Sequence, residues 1–191
     1  MILGILSDTH GHYERAARAI RLLQGLGATA FTHCGDVGGE KVLDELAGRQ
    51  AWFVWGNTDL AGPKLRSYAK MLGLPVPESI PLRLDLDGRV IAVFHGHEPQ
   101  FTRLAGLLRT ERVVEFEQAV RDYDYILFGH SHRATDVRIG RVHRTRLINP
   151  GALDRARPRT VATLDLERDT VEFWHVDDKR EEAPPRRFEP H

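Results

Sequence analysis

The apolar positions of the chain follow two periods, and their alternation sets out the elements. Ile2 to Leu6, Ala28 to Cys34 and Ala51 to Trp55 are short apolar runs of strand length. Between them, Ala16, Ala19, Ile20 and Leu23, then Val42, Leu43, Leu46 and Ala47, recur at helical spacing, and glycines close both segments. This β-α-β-α-β order predicts a parallel sheet with right-handed crossovers. A third helix is expected from Pro63 to Leu72, with Leu65, Tyr68, Ala69 and Leu72 on one face and Pro63 in the first turn. The period then changes. Leu82, Leu84 and Leu86 alternate with Arg83, Asp85 and Asp87, and Asp87-Gly88 turns the chain into the strand Val90 to Phe94. Residues 99 to 121 read as one or two helices, followed by a buried strand from Tyr125 to Phe128. Thr135 to Ile139 with Val142 to Ile148, and Val161 to Leu166 with Val171 to Val176, read as hairpins. The expected class is α/β, with a parallel first half and a hairpin-rich second half. One domain is expected over 1–177. Residues 178–191, with eight charged residues and three prolines, are expected to form a loose tail.

Composition narrows the function classes. Lys+Arg and Asp+Glu both number 27, so the formal charge is zero, which argues against a general polyanion-binding surface but not against a local basic cleft. The one cysteine, Cys34, cannot form an internal disulfide. No apolar stretch approaches the ~18 residues of a membrane span, and no basic segment precedes the first strand. A cytoplasmic location without membrane association is the expectation.

Polar clusters close the apolar runs: Asp8-Thr9-His10, Gly35-Asp36, Gly56-Asn57, His95 and Gly129-His130-Ser131-His132. Each alone reads as a cap, a turn dipeptide or a structural histidine. Together, in order and each after a strand, they make a metal site. Two carboxylates, one amide and four imidazoles suit Mn²⁺, Fe, Zn²⁺ or Ni²⁺ better than Ca²⁺. Seven ligands exceed one tetrahedral ion and fit two ions sharing a carboxylate. Two divalent ions, two aspartates and a bridging hydroxide leave a charge of about +1, which attracts a phosphodiester.

This ordered series resembles the calcineurin-like metallophosphoesterases, and the spacing and short length resemble their small bacterial and archaeal phosphodiesterase branch. Ile148-Asn149-Pro150-Gly151 resembles the segment that follows that branch's last metal motif. The resemblance implies two packed mixed β-sheets flanked by helices, with two divalent ions, most often Mn²⁺, at one edge. It implies that Asp8, His10, Asp36 and His132 hold one ion. Asp36 as bridge, Asn57, His95 and His130 would hold the other, with Asp36, Asn57 and His95 central to catalysis. The implied reaction is attack of a metal-bridging hydroxide on a phosphodiester.

The departures concern the substrate. Monoesterase members carry a histidine after Gly-Asn, where this chain has Thr58, which cannot act as a cationic proton donor at neutral pH. Diester hydrolysis is therefore favoured over monoester hydrolysis. Thr58, His97 and Arg133 are the candidate substrate contacts; His12 is an outer candidate, and His143 and His175 are taken as structural. The expected substrate is a small phosphodiester such as a nucleotide. A nuclease or cyclic-nucleotide phosphodiesterase is the second reading, weakened for nucleic acid by the zero net charge and the lack of a stacking stripe. The third is a non-catalytic scaffold on the same fold, which the intact histidines disfavour. The long stretch from 101 to 121 is expected to cap the cleft or to form a contact in a homo-oligomer.

Overall fold

Side-chain alternation along the central strands divides the interior into three apolar layers. In strand β1 (Ile2–Leu6), Leu3 and Ile5 point one way and Ile2 and Leu6 the other, as the two-residue period of a strand requires. The same division holds in β5 (Arg89–Val93), where Ile91 and Val93 face inward. It recurs in β6 (Tyr125–Leu127), with Tyr125 and Leu127 inward and Ile126 outward. Strands buried on both faces are continuous apolar runs for this reason. The computed structural model describes residues 1–141, 144–176 and 185–190.

Among the described residues, six strands form the first sheet. In it β1, β2 (Ala30–His33) and β3 (Gln50–Phe53) run parallel, and β9 (Thr160–Asp165), β10 (Thr170–His175) and β11 (Arg187–Phe188) continue antiparallel from the free side of β1. The helices α1 (Tyr13–Gly25), α2 (Glu40–Leu46) and α3 (Pro63–Met71) cover its outer face through Ala16, Ile20, Leu23, Val42, Leu43 and Ala69. The second sheet has the order β4 (Leu82–Leu86), β5, β6, β8 (Thr145–Asn149) and β7 (Thr135–Ile139). Its outer face is covered by α4 (Pro99–Arg109) and α5 (Val113–Val120), where Phe116 and Val120 bury against Ala92, Phe94 and Ile126. The segment from 101 to 121 thus supplies an outer layer of the sandwich. Two packed mixed sheets flanked by helices are the architecture expected from the sequence.

Three local expectations are corrected. The second half is more than hairpins, because β5, β6 and β8 run parallel at the centre of the second sheet. The strand expected from Val142 begins at Thr145; Val142 and His143 lie outside the described residues. Within the expected loose tail, Arg187–Phe188 pairs with β10, Phe188 opposite Phe173 and Arg187 opposite Trp174. Residues 178–184 and 191 lie outside the described residues.

Candidate metal centre

The carboxyl ends of β1, β2 and β3 in one sheet meet those of β5 and β6 in the other. Ligands collect at strand ends of this kind because the backbone there is free to turn. Asp8, His10, Asp36, His130 and His132 all adopt left-handed backbone conformations, with φ of 54°, 45°, 53°, 62° and 57°. For a residue other than glycine this conformation costs about 1–3 kcal/mol and clusters at functional sites. Hydrogen bonds between neighbouring loops offset it. Asp8 N–H donates to Gly35 O at 3.0 Å, and His10 N–H to Asp36 O at 2.9 Å. Gly129 N–H donates to His95 O at 2.8 Å, and His130 N–H to the Asp8 Oδ2 at 3.1 Å.

Two motif glycines are required by close approach. A Cβ on Gly56 would lie 2.0 Å from Asp36 Oδ1, and one on Gly129 would lie 2.0 Å from Ser7 Oγ and 2.7 Å from Asp8 Oδ2. Each loop therefore packs its glycine against the aspartate of another.

The side chains converge. Asp36 Oδ2 lies 3.6 Å from His10 Nε2 and 3.4 Å from His95 Nε2. Asp8 Oδ1 lies 3.1 Å from His132 Nε2, and His95 Nε2 lies 3.0 Å from Asn57 Oδ1. The rings of His95 and His130 are 5.1 Å apart between centroids. Two groups have ligand atoms mutually within 4.8 Å: Asp8, His10 and His132, and Asp8, Asp36 and His95. All seven expected ligands thus gather at one place, with Asp8 in both groups.

Several atoms are arranged for a cation and for little else. Among the described residues, Asp8 Oδ1 and His10 Nε2 are buried without a hydrogen-bond partner, although His132 Nε2 approaches Asp8 Oδ1 closely. Such orphaned polar atoms are costly unless an ion satisfies them. The Cys34 carbonyl, which can only accept, sits 2.8 Å from His95 Nδ1, so the proton belongs on that nitrogen. Nε2 then faces Asn57 Oδ1 and Asp36 Oδ2, two further electron-pair donors. The residues present fit divalent metal ions.

Charges follow the same geometry. Burial pushes the Asp36 carboxyl up, but the neighbouring His95 and the Thr58 N–H, which donates to Oδ1, outweigh it and hold it well below the usual range. Burial raises Asp8, against the lowering effect of the Ser7 hydroxyl, which donates to Oδ2 at 2.5 Å. Burial lowers His10 and His130, which favours the neutral imidazoles that bind metals. His95 is raised: burial lowers it, but Asp36 and the Cys34 carbonyl prevail. Beneath the centre, burial and the neighbouring His95 bring His33 down to about 3. His33 Nδ1 accepts the Gly35 N–H at 3.2 Å, so Nε2 carries the proton toward Thr9 Oγ1 at 2.9 Å. Thr9 in turn donates to Val37 O at 2.9 Å. Cys34 is buried, and burial raises its thiol far from reactivity.

The candidate substrate contacts separate. Thr58 Oγ1 is 3.4 Å from His10 Nδ1, and its N–H donates to Asp36 Oδ1 at 2.9 Å. The His97 ring lies 5.4 Å from His95 and 6.3 Å from His130. Arg133 is exposed beside His132, and the bond described for it is through its carbonyl, which accepts from Thr135 Oγ1 at 3.0 Å.

Three supporting residues receive no role from the sequence, although Asn149 falls in the Ile148–Gly151 segment noted above. Asp59 accepts the N–H groups of Val37, Gly38 and Gly56 at 3.1, 2.7 and 2.8 Å, tying two ligand loops together. The buried Glu98 accepts the N–H groups of His95 and Gly96, both at 2.7 Å. Asn149 donates to Gly129 O at 2.7 Å and to Ser131 Oγ at 3.0 Å, bracing the His130–His132 loop. For Asp59 the one available signal is its place two residues after Asn57, a common turn position; Glu98 has none.

The chain is similar to known proteins in sequence and in fold. A phosphodiesterase of Methanocaldococcus jannaschii is 26% identical over 153 residues, covering 79% of this chain and 83% of that protein. Among solved structures, an archaeal phosphodiesterase superposes with a TM-score of 0.71 at 23% identity, over 91% of this chain and 98% of its own. A phosphoesterase from E. coli gives 0.58 at 20% identity, over 93% and 100%. Zinc-complexed Vps29 from Entamoeba histolytica gives 0.60 at 16%, over 98% of both chains. At these identities the structural likenesses show the fold. The family is shown by residues 1–169, which match the model of the calcineurin-like phosphoesterase superfamily domain and include every residue of the converging cluster. The chain belongs to that superfamily.

Proposed function

We propose that the chain hydrolyses phosphodiesters with two divalent metal ions, for which Mn²⁺ is the best fit. Asp8, His10, Asp36 and His132 hold one, and Asp36, Asn57, His95 and His130 the other. The observation that carries this reading is the position of Asp36 Oδ2, 3.6 Å from His10 Nε2 and 3.4 Å from His95 Nε2. A single carboxylate between nitrogens of both ligand groups is suited to bridge. When bound, the ions lower the pKa of water toward neutrality and offset charge on the phosphoryl oxygens.

The chain's own residues prepare the centre. The Cys34 carbonyl fixes the tautomer of His95 and leaves Nε2 as the ligand atom. Ser7 and the His130 N–H occupy Asp8 Oδ2 and turn Oδ1 toward the site. The Thr58 side chain reaches His10 at the place where a monoesterase would offer a histidine. Because threonine supplies no cationic acid, diesters with good leaving groups suit the site better than monoesters. Thr58, His97 and Arg133 are assigned to substrate contact, and a small nucleotide-type diester in the cytoplasm is the substrate we favour.

The experiment is a comparison of aryl diester and aryl monoester hydrolysis by Mn²⁺-loaded protein, with metal analysis. Two ions per chain, a diester preference and loss of both in Asp36→Asn are expected. Bound metal near zero, or faster monoester turnover, would overturn the reading.

A further inference from the structure

Beside the Asp8–His10 side of the centre lies a cluster of cationic groups outside every motif described above. The turn after β8 is fastened to the end of β1, with Leu153 N–H donating to Ser7 O at 3.2 Å and Asp154 N–H to Asp8 O at 2.9 Å. Asp154 Oδ1 receives Arg15 Nη1 at 2.8 Å and lies 3.3 Å from His12 Nε2. Arg155 Nε is 3.6 Å from Asp154 Oδ2. One carboxylate therefore faces two guanidiniums, leaving about one positive charge with His12 counted as neutral. The two arginines differ in freedom. Arg15 is 17% exposed and also donates to Leu153 O at 3.4 Å, whereas the Arg155 side chain is 65% exposed. Its pairing with Asp154 is longer than a hydrogen bond, and exposed pairs of that kind contribute little. Arg155 holds a left-handed backbone, φ 54°, which fixes where the side chain leaves the turn. Because Asp154 N–H is bonded to Asp8 O, Arg155 follows directly on a contact with the loop that carries Asp8 and His10.

We propose that Arg155, next to the Asp154–Arg15 pair, binds a second phosphate of the substrate. The favoured substrates are then phosphodiesters that carry a terminal phosphate beside the scissile linkage. This rests on the phosphodiesterase reading above. A guanidinium presents a planar fork of donors that matches two phosphate oxygens, and it stays charged at any working pH. A terminal phosphate competes readily for Arg155 because Asp154 is already engaged by Arg15. The cluster lies on the Asp8–His10 side, whereas His97 is beside His95 and His130.

The test compares dithymidylate with and without a 5′-phosphate on metal-loaded protein. The wild type is expected to favour the phosphorylated dinucleotide roughly three- to tenfold in kcat/KM, mainly through KM. Arg155→Asn, which tolerates the left-handed backbone, brings the ratio to about one, and Arg155→Lys restores part of it. A wild-type ratio of one, or an equal loss on both substrates in Arg155→Asn, overturns the proposal while leaving the phosphodiesterase reading intact. If neither dinucleotide nor an aryl diester is cleaved, that reading fails instead. Calorimetric binding of the phosphorothioate-linked pair to the metal-loaded protein then decides: tighter, Arg155-dependent binding of the phosphorylated form supports the cationic site, and equal binding overturns it.

Discussion

The carboxylate of Asp59 accepts the backbone N–H of Gly56 at 2.8 Å, closing the turn that presents Asn57. The same carboxylate takes Val37 and Gly38 N–H, so one side chain holds the Asp36 and Asn57 loops in register. Asp59→Ala leaves three N–H groups without their acceptor. We expect a loss of about 2 kcal/mol in unfolding stability, together with weaker metal binding. Urea titration of the metal-free protein and calorimetric Mn²⁺ titration measure the two effects separately. Unchanged metal affinity would confine Asp59 to a stabilising role.

Gly56→Ala tests the packing of glycine on aspartate. The new methyl would lie 2.0 Å from Asp36 Oδ1 and 2.3 Å from Asp36 N, so the carboxylate must move. A misplacement of about 1 Å at a reacting centre lowers rates roughly 100-fold. Metal-dependent turnover of an aryl diester is the readout, and activity within twofold of wild type would show that the loop yields without cost.

Metal addition should stabilise the fold, because Asp8 Oδ1 and His10 Nε2 lack partners without it. At about 100 times the dissociation constant an ion contributes about 2.7 kcal/mol. For a chain of this size that raises the thermal midpoint by roughly 5–10 °C. Differential scanning calorimetry with chelator and with Mn²⁺ should show this shift, and Asp8→Asn should remove most of it.

His33 gives the metal-free protein a pH dependence. Its pKa is about 3 in the folded state and about 6.5 when unfolded. As pH falls below about 6.5 the unfolded chain takes up the proton first, so stability is full above that value. It declines by about 1.4 kcal/mol per pH unit toward pH 3. His33→Gln keeps a donor toward Thr9 but does not titrate. The stability gap between wild type and this variant, from urea unfolding, should narrow by about 2 kcal/mol between pH 7 and 5. A constant gap would remove His33 as the cause.

Much of this was legible from spacing. The hairpin at Asp87-Gly88 was readable because both residues suit positive φ, and they adopt 47° and 72°. The candidate ligand residues were readable because each ends an apolar run, and a strand end is a local property. The supporting residues were not. Glu98 holds His95 by accepting two N–H groups, a role that any polar residue near a helix start could have. The placement of β9 beside β1, and of Arg187–Phe188 beyond β10, depends on register between segments more than 150 residues apart for β1 and β9.

The sequence by itself determined the chemistry at hand: two aspartates, an asparagine and four histidines at strand ends, with threonine at position 58. Side-chain period and turn preference act over a few residues, so these features are written locally. Only the tertiary structure decided that Asp36 lies between His10 and His95, that the Cys34 carbonyl orients a histidine 61 residues away, and that the turn at Asp154 is fastened to Asp8. Those relations come from two sheets packing face to face with their strand ends aligned. Burial of Leu3, Ile5, Ile91 and Leu127 between the sheets sets that packing, and no short stretch of chain contains it.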